Sequence, residues 1–373
     1  MKKSTQPATT RRRILRGLGA GAFGAASIGL VSGGSSDDTV WIPTVKYGNS
    51  IIRRKKVPRA WREQTLHTRE ALNSFKNKYL DEPGIAGIGA RRWEENQFGD
   101  YTGLRIGVEV DSDRFSGSLP EKYKNIPVEQ RKARTSVPLC SNLCDFDPIP
   151  GGVTIEAEEG LPGGTTGYKV ENGDGEPRML TANHIWGPCD SNGSETAFQN
   201  SDEIGQVAGT HESMDYATIE PNSGESFKDT VQQPSTEYKI SGYKTESGVE
   251  DELCCDSCDT TIRKMGVTTD VTYGQVDECH YSDGESCVDF SGEGVRCTNN
   301  VAQGDSGGPL YEKIRWNGTS YAVIIGHLSS AESAINSTSC TSCIAEGDTR
   351  TIFDFVEAMT FYEIKNNSSI TLS

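Results

Sequence analysis

Ser306 lies in the segment Gly304-Asp305-Ser306-Gly307-Gly308-Pro309-Leu310, whose residue types suit nucleophilic chemistry. A serine hydroxyl attacks a carbonyl efficiently only when a neighbouring base takes its proton. The attack also needs backbone N–H groups that stabilise the negative oxygen of the tetrahedral intermediate. A tight, glycine-rich turn can present both the hydroxyl and those N–H groups, because glycine adopts backbone angles that other residues resist. We therefore predict that Ser306 is a catalytic nucleophile.

The base must be one of the five histidines of the chain. His184 is the best candidate, because it ends the segment Leu180-Thr181-Ala182-Asn183-His184, a β-prone run. His211 has no surrounding motif, and His327 lies in an apolar run where a structural role is expected. Asp215 precedes a short apolar strand, and such a carboxylate can hold an imidazole in the tautomer that accepts a serine proton.

These motifs resemble those of the chymotrypsin-like serine proteases. The string around Ser306 is similar to the nucleophile signature of that family, and the segment ending at His184 resembles its T-A-x-H motif, with Asn183 in place of Ala or Gly. The order His184, Asp215, Ser306 is the chymotrypsin order. The resemblance implies a serine endopeptidase with these three residues as its triad, and with the N–H groups of Gly304 and Ser306 as its oxyanion hole.

The resemblance is nearer to the bacterial, streptogrisin-like branch of the family. The animal enzymes are activated by the free amine of an Ile-Val-Gly-Gly terminus, whereas this chain has Gly151-Gly152-Val153 at that place. Asp305 is therefore expected to pair with another group, such as an arginine.

Two residues are predicted to bind substrate. Val323–Ser329 resembles the strand that binds the substrate backbone, and Ser329 is expected near Asp215. Asn300 stands six residues before the nucleophile, where trypsin has an aspartate, so trypsin-like specificity for Arg or Lys is not expected. A plain turn residue at Asn300 is the alternative.

The fold class predicted for residues 140–373 is mainly β. Short β-prone runs alternate with Gly, Asn, Asp and Ser clusters from Val153 onward, which is typical of a sandwich or barrel. The resemblance implies two six-stranded antiparallel β-barrels and a C-terminal helix, which the pattern places over Thr351–Phe361.

A small α+β domain is predicted over residues 59–139. Trp61–Leu80 has helical periodicity, and the alternation in Leu104–Val110 is that of a strand. Residues 35–58 are predicted to be a linker. The position of this domain resembles the pro-regions of bacterial secreted proteases, and a retained structural or binding domain is the alternative.

Residues 1–34 resemble a twin-arginine export signal. The basic segment Thr10–Arg16 is followed by the apolar run Gly17–Val31, which is short for a membrane span. We predict a secreted protein, without stable membrane insertion unless the signal is retained as an anchor.

The negative net charge of the chain argues against some classes of binding partner. Its net charge is −16, and residues 35–373 carry 31 basic against 53 acidic side chains. This excess argues against nucleic acid and anionic membranes as partners, because both require a positive surface. It suits a halophilic protein, since concentrated salt screens charge repulsion; an ordinary acidic secreted protein is the alternative. We expect a monomer that acts on polypeptides and needs no cofactor or metal.

The eleven cysteines are expected to pair as disulfides with one left over, because export favours oxidation. Cys279 and Cys287 flank a hairpin-like loop and form a plausible pair. The alternative is a zinc site, since two C-x-x-C units have zinc-ribbon spacing: Cys255/Cys258 and Cys340/Cys343.

Two other functions remain compatible with the sequence. One is a catalytically silent binding protein on a protease scaffold, although such proteins usually lose a triad residue and this chain has all three. The other is an esterase that uses the same triad.

Overall fold

The computed structural model of the chain describes residues 38–80, 82–110, 114–115, 117–132, 146–157, 163–187, 195–255, 260–283, 293–339 and 349–372. The signal predicted over residues 1–34 and seven of the eleven cysteines lie outside these residues. Within them, no helix is both long enough and apolar enough to cross a membrane.

The described residues form three α-helices and 25 β-strands, so the prediction of a mainly β chain is confirmed. The helices are α1 (Arg59–Tyr79), α2 (Glu246–Cys254) and α3 (Phe361–Asn367). The strands are β1 (Thr39–Tyr47), β2 (Ser50–Pro58), β3 (Ile85–Gln97), β4 (Thr102–Val110), β5 (Lys122–Tyr123), β6 (Ile126–Lys132), β7 (Ile149–Gly151), β8 (Thr154–Ile155), β9 (Gly164–Thr165), β10 (Tyr168–Glu171), β11 (Pro177–Ala182), β12 (Thr196–Gln199), β13 (Asp202–His211), β14 (Tyr216–Pro221), β15 (Phe227–Gln233), β16 (Thr236–Lys244), β17 (Ile262–Gly266), β18 (Asp270–Gly274), β19 (Val276–Asp283), β20 (Gly294–Cys297), β21 (Val301–Ala302), β22 (Pro309–Trp316), β23 (Thr319–Ser339), β24 (Thr349–Thr360) and β25 (Thr371–Leu372).

A six-stranded antiparallel sheet has the order β12-β13-β14-β11-β10-β25. Its strands bury an apolar cluster that includes Met179, Val207 and Ile219. Strands β11 and β14 lie side by side, with Ala182 opposite Tyr216. The segment that follows Ala182 and the segment that precedes Tyr216 are therefore neighbours at the ends of these strands.

A larger sheet contains 17 strands and takes in most of the strands outside the six-stranded sheet. Strand β23 pairs with both β22 and β24, and the short strands β20 and β21 also pair with β24. The same sheet includes N-terminal strands, because β1 pairs with β16 and β3 pairs with β19. Two barrels of six strands each stay a prediction.

The stretch predicted as a linker over residues 35–58 instead contains the hairpin β1–β2. Two cations of β2 point inward: Arg53 lies 2.7 Å from Glu312, and Lys55 lies 2.8 Å from Asp251. A half-buried strand normally shows alternating apolar and polar residues. The inward-facing charges remove that alternation, which is why the sequence did not indicate a strand.

The prediction of a helix over Thr351–Phe361 is wrong, because most of this segment is strand β24 and helix α3 begins only at Phe361. The run from Val356 to Thr360 is buried throughout. A strand covered on both faces shows no period-two pattern, and short apolar runs are ambiguous between helix and strand. Pairing with β20, β21 and β23 decides for the strand.

The predicted disulfide between Cys279 and Cys287 is also wrong, since Cys279 has a free, buried thiol. Strand β19 continues to Asp283, so Cys279 lies inside the strand rather than at the edge of a loop. Cys254 and Cys297 are free and buried as well. Cys255 is disulfide-bonded, so its sulfur cannot serve as a zinc thiolate.

Candidate active site

Two neighbouring strand ends carry His184 and Asp215. Strand β11 runs into a turn of 3-10 helix, Asn183–Trp186, which contains His184. Strand β13 ends in a similar turn, Glu212–Met214, and Asp215 follows it with left-handed backbone angles (φ 42°, ψ 45°). Because β11 and β14 are paired, the two side chains start from adjacent positions and point at one another.

The structure brings His184, Asp215 and Ser306 into one hydrogen-bonded line. His184 Nε2 lies 2.9 Å from Ser306 Oγ, and His184 Nδ1 lies 2.9 Å from Asp215 Oδ2. An ionised carboxylate can only accept, so Nδ1 carries the proton and Nε2 is free to accept the hydroxyl proton. Asp215 Oδ1 also accepts the backbone N–H of His184 at 3.0 Å, which holds the carboxylate against rotation.

Burial and charge act in opposite directions on this pair. Burial disfavours the charged form of both groups, but their mutual attraction is stronger. The pKa of the His184 imidazole therefore lies above its ordinary value, and the pKa of the Asp215 carboxyl lies below its own. Ser329 Oγ–H also donates to Asp215 Oδ2. Asp215 is thus ionised and able to stabilise an imidazolium.

Ser306 is buried in the loop between β21 and β22, and glycines allow this loop to pack closely. Gly307 has a φ of 83°, and a Cβ on it would lie 2.0 Å from Thr181 Oγ1. Its N–H donates to Leu328 O at 2.7 Å, which ties the loop to β23. In the described part of the chain, the amides of Gly304 and Ser306 have no hydrogen-bond acceptor. Neither N–H group is therefore committed to another group of the described chain.

A buried lysine holds the Asp305 carboxylate next to the nucleophile. Lys264 Nζ lies 2.6 Å from Asp305 Oδ2, and both side chains are fully buried. The same carboxylate accepts the backbone N–H groups of Thr268 at 3.0 Å and Ala302 at 3.1 Å. The expected internal cation is present, but it is a lysine rather than the arginine suggested from the sequence. Backbone donors already occupy much of the carboxylate, so one compact ammonium is sufficient.

Of the two predicted substrate-binding residues, Ser329 lies against Asp215 and Asn300 is elsewhere. Asn300 is exposed, and its carbonyl accepts the Thr272 hydroxyl at 2.6 Å. Within the described residues, no hydrogen bond joins Asn300 to the triad, and a role in substrate binding stays a prediction. Strand β22 pairs with β23 only as far as His327, and the residues that follow pair with β24 alone among the described strands. Within the described residues, no strand pairs with the other edge of Ser329–Ala331, and these three residues are buried.

A second cluster of ionisable groups lies away from the triad. Glu246, His280 and Glu293 have potential ligand atoms within 4.8 Å of one another. His280 Nδ1 lies 2.7 Å from Glu293 Oε2, and Nε2 lies 3.1 Å from Glu250 Oε1. With a carboxylate at each ring nitrogen, both nitrogens must carry protons. Burial opposes this charge, but the carboxylates raise the pKa of His280 well above its ordinary value.

Comparisons with known proteins show only distant likeness. No protein-family model matches the chain, and a search of curated proteins gives no match. Among solved structures, a chymotrypsin from Cellulomonas bogoriensis is 16% identical with a TM-score of 0.39, over 61% of this chain and 99% of that one. A Nocardiopsis protease is 16% identical with a TM-score of 0.41, over 61% and 99%. Thermobifida fusca protease A is 17% identical with a TM-score of 0.38, over 60% and 97%.

Two residues of the site were not indicated by any motif. Lys264 lies on β17, and only the need of Asp305 for a cation pointed to such a group. His327 was expected to be structural, yet its Nε2 lies 2.8 Å from the backbone oxygen of Asp215. Each acts across strands that are distant in sequence, so no local spacing marks them.

Proposed function

We propose that this chain is a serine endopeptidase that hydrolyses peptide bonds through an acyl-enzyme. The observation that carries this proposal is the hydrogen-bonded line from Ser306 through His184 to Asp215, with both links at 2.9 Å. Nucleophile and base within hydrogen-bond reach, with the base oriented by a third group, are the signature of nucleophilic catalysis. The chymotrypsin order of the three residues supports a protease of that family.

The mechanism follows from the proton positions. His184 Nε2 takes the Ser306 proton as Oγ attacks the peptide carbonyl, and Asp215 stabilises the imidazolium that forms. The N–H groups of Gly304 and Ser306 stabilise the oxyanion. His184 then protonates the leaving amine, and a water molecule, deprotonated by the same imidazole, hydrolyses the acyl-enzyme. The unpaired edge of Ser329–Ala331 holds the substrate backbone as an added strand.

The rival functions differ in what they require of the site. A silent scaffold needs no aligned proton acceptor at the serine, whereas His184 is aligned with it. An esterase needs the same triad but no extended binding of a peptide backbone, for which the peptidase would use the unpaired edge of Ser329–Ala331. We also propose export through the signal at residues 1–34, and an acidic surface adapted to high salt, on the sequence evidence given above.

A fluorophosphonate probe tests the proposal directly. The folded protein in concentrated salt should be labelled once, and tryptic peptide mapping should place the adduct on Ser306. Hydrolysis of casein then separates a protease from an esterase, which would cleave only small activated esters. Absence of labelling at every salt concentration, in protein shown to be folded, would contradict the enzyme proposal.

The activity should have an acidic limb set by His184. The imidazole must be neutral to take the serine proton, so kcat/KM should fall about tenfold per pH unit below the pKa of that group. Because Asp215 raises this pKa, the midpoint should lie above the ordinary histidine value of about 6.5. A pH–rate profile of casein-derived peptide cleavage measures it. His211→Ala is the matched control, since His211 does not contact Ser306 or His184, and it should leave the midpoint unchanged.

We further propose that the N-terminal region, residues 39–132, stays part of the mature enzyme rather than leaving as a pro-region. Strand pairing joins β1 to β16 and β3 to β19. Buried ion pairs cross the same boundary: Arg69 lies 2.6 Å from the fully buried Glu250, and Arg296 lies 3.0 Å from Glu109 Oε2. Removing one side of a buried pair is strongly destabilising, because it leaves an uncompensated charge.

The mass of the labelled species tests this retention. Intact mass and N-terminal sequencing of fluorophosphonate-labelled protein should show a chain that begins before Thr39. In addition, Glu109→Ala should lower the free energy of unfolding by about 1–3 kcal/mol, because Arg296 loses its hydrogen bonds to Glu109 and keeps those to Glu357. Glu129→Ala should cost under about 1 kcal/mol, because Glu129 pairs with Arg105 while 28% of its side chain is exposed. An active species that begins after residue 132 would overturn the proposal.

A further inference from the structure

Strand β23 supports Asp215 at two points. Ser329 donates its hydroxyl to the Asp215 carboxylate. Two residues earlier on the same face of the strand, His327 Nε2 lies 2.8 Å from the backbone oxygen of Asp215. A carbonyl oxygen only accepts, so Nε2 of His327 carries the proton that is shared.

The backbone of Asp215 needs such support. Its left-handed angles are costly for any residue with a Cβ, although aspartate tolerates them better than most. The same backbone oxygen also accepts the N–H of Asn183 at 3.1 Å. Two donors from different elements therefore hold the Asp215 peptide in this conformation, and the conformation directs the carboxylate toward His184.

The other ring nitrogen of His327 shows that packing alone does not explain this residue. His327 is completely buried, and its Nδ1 has no hydrogen-bond partner in the described part of the chain. An unpartnered buried nitrogen is unfavourable. An apolar side chain between Pro309 and Met359, its neighbours on β22 and β24, would avoid that cost. The donated hydrogen bond to Asp215 is what the imidazole supplies and a leucine would not.

We propose that His327 is a positioning residue of the triad, which holds the Asp215 backbone so that its carboxylate stays aligned with His184. This inference rests on the proposed peptidase function.

The charge state of His327 is consistent with this role. The charged or titratable groups that face it are Asp215 and His184. Burial lowers the pKa of His327 by more than the nearby Asp215 raises it, and His184 adds to the lowering. His327 is therefore neutral and donates through Nε2 without competing with His184 for the negative charge of Asp215.

Three variants separate positioning from packing. His327→Leu keeps the volume and removes the donor, so kcat should fall about tenfold, the effect of one lost neutral hydrogen bond, while KM stays unchanged. His327→Gln places an amide N–H near the position of Nε2 and should restore most of kcat. His327→Asn is too short to reach the carbonyl and should behave like the leucine variant. Unchanged kcat in His327→Leu would overturn the proposal.

A measurement independent of turnover keeps this test separate from the peptidase proposal. Proton and nitrogen NMR of histidine-labelled protein gives the pKa of His184, assigned by its absence in His184→Ala. Loss of the aligned carboxylate should move the pKa of His184 toward its ordinary value in His327→Leu and leave it raised in His327→Gln. The same pKa in all three proteins would refute the positioning role, whether or not the wild-type protein cleaves peptides. If His327→Leu fails to fold, the wild-type, His327→Gln and His327→Asn comparison decides.

Discussion

Ser306→Ala should lower kcat for peptide cleavage by about 10⁶-fold, and His184→Ala should have an effect of the same order. Ser306 supplies the attacking oxygen, and His184 Nε2, 2.9 Å away, is the group placed to take its proton. Removing either residue leaves the other without a function. The double variant should therefore be no slower than the slower single variant, because residues that act as a unit are not additive. Steady-state cleavage of a peptide substrate by all four proteins, followed as product formed over time, measures this.

An unfolding measurement and a control serine variant test whether the loss of activity comes from the missing Ser306 hydroxyl alone. Ser306→Ala should unfold close to the wild-type midpoint, since the Ser306 hydroxyl bonds to His184 rather than to the core. Ser241→Ala is the matched serine variant: its hydroxyl donates to Ala322 O at 3.4 Å, and Ser241 belongs to β16 rather than to the site. It should keep full activity. Additive losses in the Ser306/His184 double variant would mean that the two residues do not act together.

Lys264→Met should lower the free energy of unfolding by about 3–5 kcal/mol and abolish rapid labelling of Ser306. The substitution keeps the length of the side chain and removes the ammonium that lies 2.6 Å from Asp305. An unpaired, fully buried carboxylate then adjoins the nucleophile, and the loop that carries the Gly304 and Ser306 amides must rearrange to hydrate it. Urea unfolding and the rate of fluorophosphonate labelling measure the two effects.

Three comparisons isolate the buried pair. Lys264→Met combined with Asp305→Leu should recover part of the lost stability, since removing both charges of a buried pair is less damaging than removing one. Lys264→Arg keeps the charge, and its free energy of unfolding should lie between those of the wild-type protein and Lys264→Met. Lys228→Met removes a cation that lies 3.0 Å from Glu237 at the surface, and should cost under about 1 kcal/mol. Equal free energies of unfolding for Lys264→Met and Lys228→Met would show that the Lys264–Asp305 pair contributes no more to stability than a surface ion pair.

The residues that could be predicted from sequence are those whose chemistry restricts the local chain. The nucleophile turn requires glycines at left-handed angles, so Ser306 stands in a recognisable string. His184 follows strand β11 and Asp215 precedes strand β14, and the structure brings them together because β11 and β14 pair. Helix α1 was predicted because its buried residues recur with helical periodicity on a single face.

The residues that could not be predicted act through tertiary contacts. Lys264 and His327 need only reach Asp305 and Asp215 across the sheets, and any position on a neighbouring strand could supply them. Strand β2 was hidden by Arg53 and Lys55, whose partners lie about 200 residues or more further along the chain. Strand β24 was taken for a helix because pairing along both of its edges, rather than a surface pattern, defines it. In each case the deciding partner is remote in sequence.

The pairing of Lys264 with Asp305 also has a consequence for the activation of the proposed peptidase. In the animal members of the chymotrypsin-like family, cleavage creates the free amine that completes the nucleophile loop. An inactive precursor can therefore be stored and activated later. Here Lys264 and Asp305 are both present in the uncut chain, and their pairing is part of folding itself. The proposed peptidase therefore has no latent form of that kind. In the proposed peptidase, folding itself supplies the cation at Asp305, so no later cut is needed for that contact.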